Sequence, residues 1–320
     1  MPDRYVLDFE EPLRKIRQKI REMEDWANNN PDYAKAEIQR LEEQELRLSK
    51  EIYSNLSNWQ RVQIARHPNR PYTLDYIELM LTEFTELHGD RCSGDDPAMI
   101  SGFGKIEDLP VAVVGQQKGR DNESRIKRNF GMANPEGYRK ALRIMKLAEK
   151  FSRPVLSFID TPGAFPGIMA EEHGQGEAIA RNLLEMSRLK VPVIVTIIGE
   201  GGSGGALGIG IGDKIIMLEN AWYSVIAPES CSTILMRNTE KKDHFAEVLK
   251  LSAHDLKKMG LVDVIIPEPI GGAHNDFPGV AETLKSAILK LIKTLRSKSP
   301  VDLVNSRVQK LRSIGRWSEK

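Results

Sequence analysis

Two apolar runs, Pro154–Asp160 and Val191–Ile198, each lead straight into a turn crowded with glycine. The first turn reads Asp160-Thr161-Pro162-Gly163-Ala164-Phe165-Pro166-Gly167. The second reads Gly199-Glu200-Gly201-Gly202-Ser203-Gly204-Gly205-Ala206-Leu207-Gly208. A short unbroken apolar run bounded by turn signals fits a strand covered on both faces. A helical pattern follows each turn. This order points to a layered α/β fold with mostly parallel pairing, in which sites lie where strands end and helices begin.

The remaining pattern agrees. Residues 8–60 are polar, and Leu13, Ile16, Ile20 and Met23 form a helical stripe. Asn28-Asn29-Asn30-Pro31-Asp32 signals a turn, after which Leu41, Leu48 and Ile52 resume the stripe. This predicts an N-terminal helix hairpin over 1–60, suited to a subunit contact, ahead of one domain over 61–320. Within that domain the sequence predicts a helix at Asp75–Leu87 and strands at Ile100–Ile106 and Val111–Gln117. Asn134 with Pro135 is expected to open a helix reaching Phe151. Further helices are expected at Ala170–Leu189 and Ser203–Asp213, with strands at Ile215–Leu218 and Trp222–Ile226. Helices near Glu229–Arg237, Asp243–Leu251 and Ala253–Met259, a strand at Val262–Ile266 and a helix over 279–297 complete the expectation.

Composition narrows the function classes. The 46 Lys and Arg residues balance 45 Asp and Glu, so nothing argues for bulk attraction to nucleic acid or to a membrane surface. No apolar run approaches the ~20 residues of a membrane helix, and the first residues lack a signal-peptide pattern. Cys92 and Cys231 form no CxxC pair, so no cysteine-rich zinc site and no other metal is expected. A cytoplasmic protein is the simplest expectation.

The second turn admits several readings. Its glycines could serve close strand–helix packing alone. Gly199, Gly201 and Gly204 fit G-x-G-x-x-G, with Glu219 twenty residues past Gly199, as in a dinucleotide fingerprint. Gly201-Gly202-Ser203-Gly204-Gly205 fits G-x-S-x-G, which would make Ser203 a hydrolase nucleophile with His244, His254 or His274 as base. A third reading needs no reactive side chain: the amides of Gly204 and Gly205, at a helix start, would hold an oxyanion. In the first turn, Gly163 and Ala164 can offer amides, while Asp160 is expected to shape the turn. Lys118 and Arg120, at a strand end, are the preferred binders of phosphate or carboxylate groups in the basic stretch Lys118–Arg128.

Both turns also carry a resemblance. Asp160–Gly167, Gln117-Lys118-Gly119-Arg120-Asp121, Arg128-Asn129-Phe130-Gly131-Met132, Pro135–Ala141, Gly199–Gly208 and Tyr223–Glu229 together resemble the carboxyltransferase α subunits of bacterial acetyl-CoA carboxylase. The resemblance runs over essentially the whole chain. It implies a crotonase-like (ClpP/crotonase) fold built of ββα units. It implies transfer of a carboxyl group from carboxybiotin to acetyl-CoA, giving malonyl-CoA for fatty acid biosynthesis. The biotin would ride on a biotin carboxyl carrier protein, charged by a biotin carboxylase in a complex that binds ATP. A β subunit with a zinc ribbon would complete an α2β2 assembly. The resemblance assigns Gly204 and Gly205 as oxyanion donors toward biotin, with Gly163 and Ala164 as the second pair. Lys118, Arg120, Arg128 and Asn129 are the expected substrate contacts.

Overall fold

The computed structural model describes residues 5–27 and 31–315. Helices α1 (Glu11–Ala27) and α2 (Pro31–Ser54) pack against one another and bury Leu13, Ile16 and Leu41. Arg17 and Glu45 join them at 2.5 Å. The three asparagines of the expected turn lie outside the described residues, and α2 begins at Pro31. Two short helices follow, α3 (Asn58–Ala65) and α4 (Thr73–Met80).

The expected helix at Asp75–Leu87 is half right. It stops at Met80, and β1 (Thr82–Glu86) follows. Leu81 sits at φ −118° and ψ 151°, which breaks the helix. The chain then forms an edge strand antiparallel to β2 (Met99–Ile106), itself antiparallel to β3 (Leu109–Gln116). Next come α5 (Asn122–Lys127), α6 (Pro135–Lys150), β4 (Val155–Thr161), α7 (Ile168–Glu172) and α8 (Gln175–Arg188). The expected single helix at Ala170–Leu189 is two, because Gly174 takes φ +83° between them. That is the left-handed region, which glycine enters without strain.

β5 (Val193–Gly202) outruns the expected Val191–Ile198 strand and carries the extended backbone through half of the glycine run. It is followed by α9 (Ser203–Leu207), β6 (Lys214–Leu218), β7 (Trp222–Ser224), α10 (Pro228–Met236), α11 (Lys242–Val248), α12 (Ala253–Lys258) and β8 (Val264–Ile266). Two helices close the described chain, α13 (Phe277–Leu295) and α14 (Pro300–Arg312). The sheet order is β1-β2-β3-β4-β5-β6-β8, with β7 paired to the far end of β5. From β3 onward all pairing is parallel. Every residue of β4 and β5 is buried, as expected where helices cover both faces of a parallel sheet. All the parallel strands therefore end on one side, and the two glycine-rich turns leave it together.

Sequence reasoning did not anticipate α14. Ser299 caps it by accepting from Asp302 N–H, and Pro300 occupies its first turn. Its buried anchor is Arg307, whose Nε and Nη2 reach Asp213 at 2.9 and 2.7 Å. The same guanidinium donates to the carbonyls of Met186, Leu189 and Val191. Arg307 thus ties the end of α8 and the start of β6 to the last described helix. Removing one partner of such a buried pair leaves an uncompensated charge and costs ~3–5 kcal/mol. Arg307→Met is expected to lower the urea-unfolding free energy by that amount, and Arg307→Met with Asp213→Asn by clearly less. Equal losses in the two variants would contradict this account.

Candidate functional site

At the carboxyl ends of the parallel strands, one buried ammonium joins three elements. Lys118, two residues past β3, has its Nζ 2.7 Å from Asp160 Oδ1 and 2.6 Å from Glu200 Oε2. Asp160, in β4, opens the first glycine-rich turn, and Glu200, in β5, is the second residue of the other. Asp160 Oδ1 also accepts the Glu200 N–H at 2.9 Å. Glu200 is held from its other side by Arg66 Nε at 2.7 Å, and Arg66 reaches on to Glu229 in the first turn of α10.

The charges follow from this arrangement. Burial disfavours the Lys118 ammonium, but Asp160 and Glu200 outweigh that and raise its pKa. Burial pushes the Asp160 carboxyl above its ordinary range against the pull of Lys118, and its Oδ2 has no hydrogen-bond partner. Burial acts on Glu200 as well, but two cations, Lys118 and Arg66, hold its pKa down. One lysine between two carboxylates is short of charge, and Arg66 supplies the balance on the Glu200 side only.

The glycines let these turns meet. A Cβ on Gly202 would lie 2.1 Å from Pro162 O, and one on Gly205 would lie 2.3 Å from Gly163 C. At Gly199 it would lie 2.4 Å from Asp160 Oδ1, and at Gly201, where a dinucleotide fingerprint needs backbone open to the pyrophosphate, it would lie 2.7 Å from Tyr223 Cδ2. Gly204 differs, because the nearest atom to its Cβ would be Ile179 Cδ1 at 3.9 Å. Packing therefore explains Gly199, Gly202 and Gly205 and leaves Gly204 unexplained by packing.

Gly204 and Gly205 occupy the second and third positions of α9, where N–H groups have no acceptor in their own helix. Gly205 C=O is held by Gln116 Nε2 at 2.8 Å and by the Tyr138 hydroxyl at 3.1 Å. Helical N–H and C=O groups point oppositely along the axis, so these bonds aim the Gly205 N–H out of the amino end. Asn182 Nδ2 fixes the far end through Gly208 O at 2.9 Å. In the facing turn the Gly163 N–H already donates to Thr161 Oγ1 at 3.1 Å. The Ala164 N–H makes no hydrogen bond among the described residues.

The expected substrate contacts fare unequally. Lys118 is engaged in the buried triad and shows only an edge to a cleft of about 230 Å³ lined by Arg66, Tyr72, Arg125, Phe130, Pro162 and Glu200, among others. Arg120 pairs with Asp75, and its guanidinium lies 4.7 Å from the Tyr72 ring centroid. Arg128 donates to Pro97 O. Asn129 and Phe130 both take left-handed backbone, at φ +46° and +56°. Arg125 and Phe130 line the cleft; Arg128 and Asn129 do not. Sequence reasoning missed Arg66 and Glu200. Glu200 carried a signal, as a lone charge between glycines at the end of an apolar strand must find a partner. Arg66 lies 134 positions away and carried none.

The competing readings lose ground. Glu219 accepts from Glu268 N–H rather than facing the glycine turn, and α9 spans five residues. Ser203 takes φ +55° and is exposed. Of the candidate bases, His274 stacks on His67 and His244 packs edge-on to Phe245, and no histidine or carboxylate hydrogen-bonds Ser203 among the described residues.

A family model described as acetyl co-enzyme A carboxylase carboxyltransferase-like matches residues 6–315. An acetyl-coenzyme A carboxylase carboxyl transferase subunit alpha from Chlorobium luteolum is 53% identical over 334 residues, covering 100% of both chains. The same-named protein of Syntrophotalea carbinolica is 52% identical over 97% of this chain and 98% of its own. Among solved structures, the β subunit of P. aeruginosa geranyl-CoA carboxylase is similar at TM-score 0.54 and 14% identity, over 75% of this chain and 43% of that one. A Pseudomonas malonate decarboxylase hetero-tetramer crystallised with coenzyme A is similar at TM-score 0.55 and 16% identity, over 69% and 89%. These identities make the likeness one of fold, and the fold is the crotonase-like one expected from the sequence.

Lys118→Met tests the triad. Without the ammonium, Asp160 keeps no cation and its folded-state pKa rises further above the unfolded value of ~3.9. A carboxyl raised on folding favours the native state below its unfolded pKa, and that advantage is lost as pH rises through the folded one. The melting-temperature deficit of Lys118→Met relative to wild type should therefore be larger at pH 8 than at pH 5. A deficit independent of pH would remove the triad from the account.

Proposed function

This chain belongs to the acetyl-CoA carboxylase carboxyltransferase family, and on that premise we propose that it acts as the α-type half of a two-chain, biotin-dependent carboxyltransferase. The reaction moves a carboxyl group from carboxybiotin to acetyl-CoA and yields malonyl-CoA, a building block for fatty acids. The partners are a β-type subunit, a biotinylated carrier protein and the biotin carboxylase that charges it, with two copies each of α and β in the transferase. The reaction belongs in the cytoplasm. The N-terminal hairpin, residues 1–60, is the proposed subunit contact, and residues 61–320 form the transferase domain.

The observation that carries this reading is the pair of glycine turns held together by Lys118, with the outward amides of α9 beside them. Biotin, when bound, would supply both the carboxyl group and a ureido oxygen basic enough to take a proton from the acetyl methyl group, and the thioester enolate would be the carboxyl acceptor. The substrate supplies its own base, so no catalytic triad is needed. Two oxyanions form in turn, and fixed donors aimed at them are worth ~3–4 kcal/mol each in transition-state stabilisation. Gly204 and Gly205 N–H are the proposed donors toward the ureido oxygen. Ala164 N–H is the stronger candidate in the facing turn, since Gly163 N–H is already engaged by Thr161. Arg125 and Phe130 join Lys118, Arg120, Arg128 and Asn129 as proposed contributors to the substrate side.

The two glycines separate packing from chemistry. Gly205→Ala forces a methyl group into Gly163, so it should lower the melting temperature and cut activity together. Gly204→Ala makes only an ordinary contact with Ile179, so its melting temperature should stay within about 2 °C of wild type. Its methyl group crowds the proposed ureido position, and its rate should fall roughly 10²-fold, the loss typical of one oxyanion donor. The assay is biotin-dependent decarboxylation of malonyl-CoA by the chain with its β partner. Full activity in Gly204→Ala, or no turnover by the wild-type pair, would refute the proposal.

A further inference from the structure

A second concave site lies at the opposite end of the sheet. A cavity of about 300 Å³ opens between the α13–α14 connection and the amino end of β6. Its charged lining is Lys214, Lys298, Arg307 and Lys310 against Asp213 and Asp263, four cations to two carboxylates and hence a surplus of two positive charges. Arg307 is spent, as its guanidinium is shared between Asp213 and three carbonyls. Asp263 is shared, accepting from Lys214 at 3.2 Å, from Ile215 N–H at 2.7 Å and from Lys310.

The donor count defines the ligand. Each ammonium has three N–H donors. Lys214 uses one on Asp263. Lys310 uses two, on Asp263 and on Asp213 O. Lys298 uses one, on Ser306 Oγ at 3.1 Å, and has no carboxylate partner among the described residues. Five ammonium donors from three elements thus remain for one concavity carrying a charge of plus two. A small dianion rich in acceptor oxygens satisfies both numbers, and a cavity of this size sits at the small end of ligand pockets. We propose that this cavity, built by Lys214, Lys298, Lys310 and Ser306, binds the phosphoryl group of a small phosphorylated molecule.

Its position suggests an effector rather than a substrate. Val193 N–H bonds Asp213 Oδ2 at the base of β5, and the same strand ends nine residues later, within the second glycine turn. At ~3.3 Å per residue the two sites stand about 30 Å apart. No single small molecule spans both, and β5 connects them directly.

The test is isothermal titration of the full chain with inorganic phosphate at fixed ionic strength, with chloride as the control titrant. Saturable one-to-one phosphate binding is expected. Lys298→Gln removes an exposed side chain whose one partner is Ser306, so the unligated melting temperature should be unchanged. Phosphate affinity should then fall about tenfold, as for loss of one charge-assisted hydrogen bond. Lys298→Glu should abolish binding. No saturable phosphate binding, an equal response to chloride, or equal affinity in wild type and Lys298→Gln would each overturn the proposal. None of these readouts depends on carboxyl transfer.

Discussion

The Lys118 ammonium is the point on which the site depends. It is buried between the carboxylates of two different strands, each at the start of a glycine-rich turn. A buried ammonium is stable there only because Asp160 and Glu200 outweigh its desolvation. Two buried carboxylates close together are equally untenable without it. The three side chains therefore fix one another, and through the bond from the Glu200 N–H to the Asp160 carboxylate they fix the spacing of the turns. Such a triad adds little net stability over a well-packed apolar alternative. What it adds is a single permitted arrangement of backbone that carries no side chain able to hold itself in place.

The glycines answer a second constraint. At Gly199, Gly202 and Gly205 they let the turns and the Asp160 carboxylate approach within distances that any Cβ would block. Behind them, Gln116, Tyr138 and Asn182 bond carbonyls of the α9 region, so the short helix is held from its inner side. A five-residue helix has little stability of its own. Here it is fixed by these bonds and presents two amides, unpaired among the described residues, in a set direction. Preorganisation of this kind is what oxyanion stabilisation requires, since donors already in position need not reorganise as charge develops.

Much of this was legible in the sequence. β4 and β5 were visible because burial on both faces demands an unbroken apolar run, and the turns after them because glycine and proline punctuate so strongly. The family resemblance rested on those turns and on four further stretches between Gln117 and Glu229. β1 was hidden because Thr82–Glu86 is an exposed edge strand, and its Leu and Glu neighbours favour helix. α14 was hidden because its buried face holds Leu303 and Arg307, and an arginine interrupts the apolar stripe by which helices are recognised. Lys118 looked like a ligand-binding cation at a strand end. Its engagement by Asp160 and Glu200 is a contact across 42 and 82 positions, and local pattern carries no information about contacts so remote. The same holds for Arg66. The cation surplus at the far cavity gathers residues from four elements and is invisible before folding.

The most direct measurement is a structure of the assembled α–β enzyme with biotin bound. The account predicts the ureido oxygen within ~2.7–3.2 Å of both the Gly204 and Gly205 amide nitrogens, with Lys118 still between Asp160 and Glu200. A ureido oxygen held by side chains elsewhere, with both glycine amides unengaged, would contradict it.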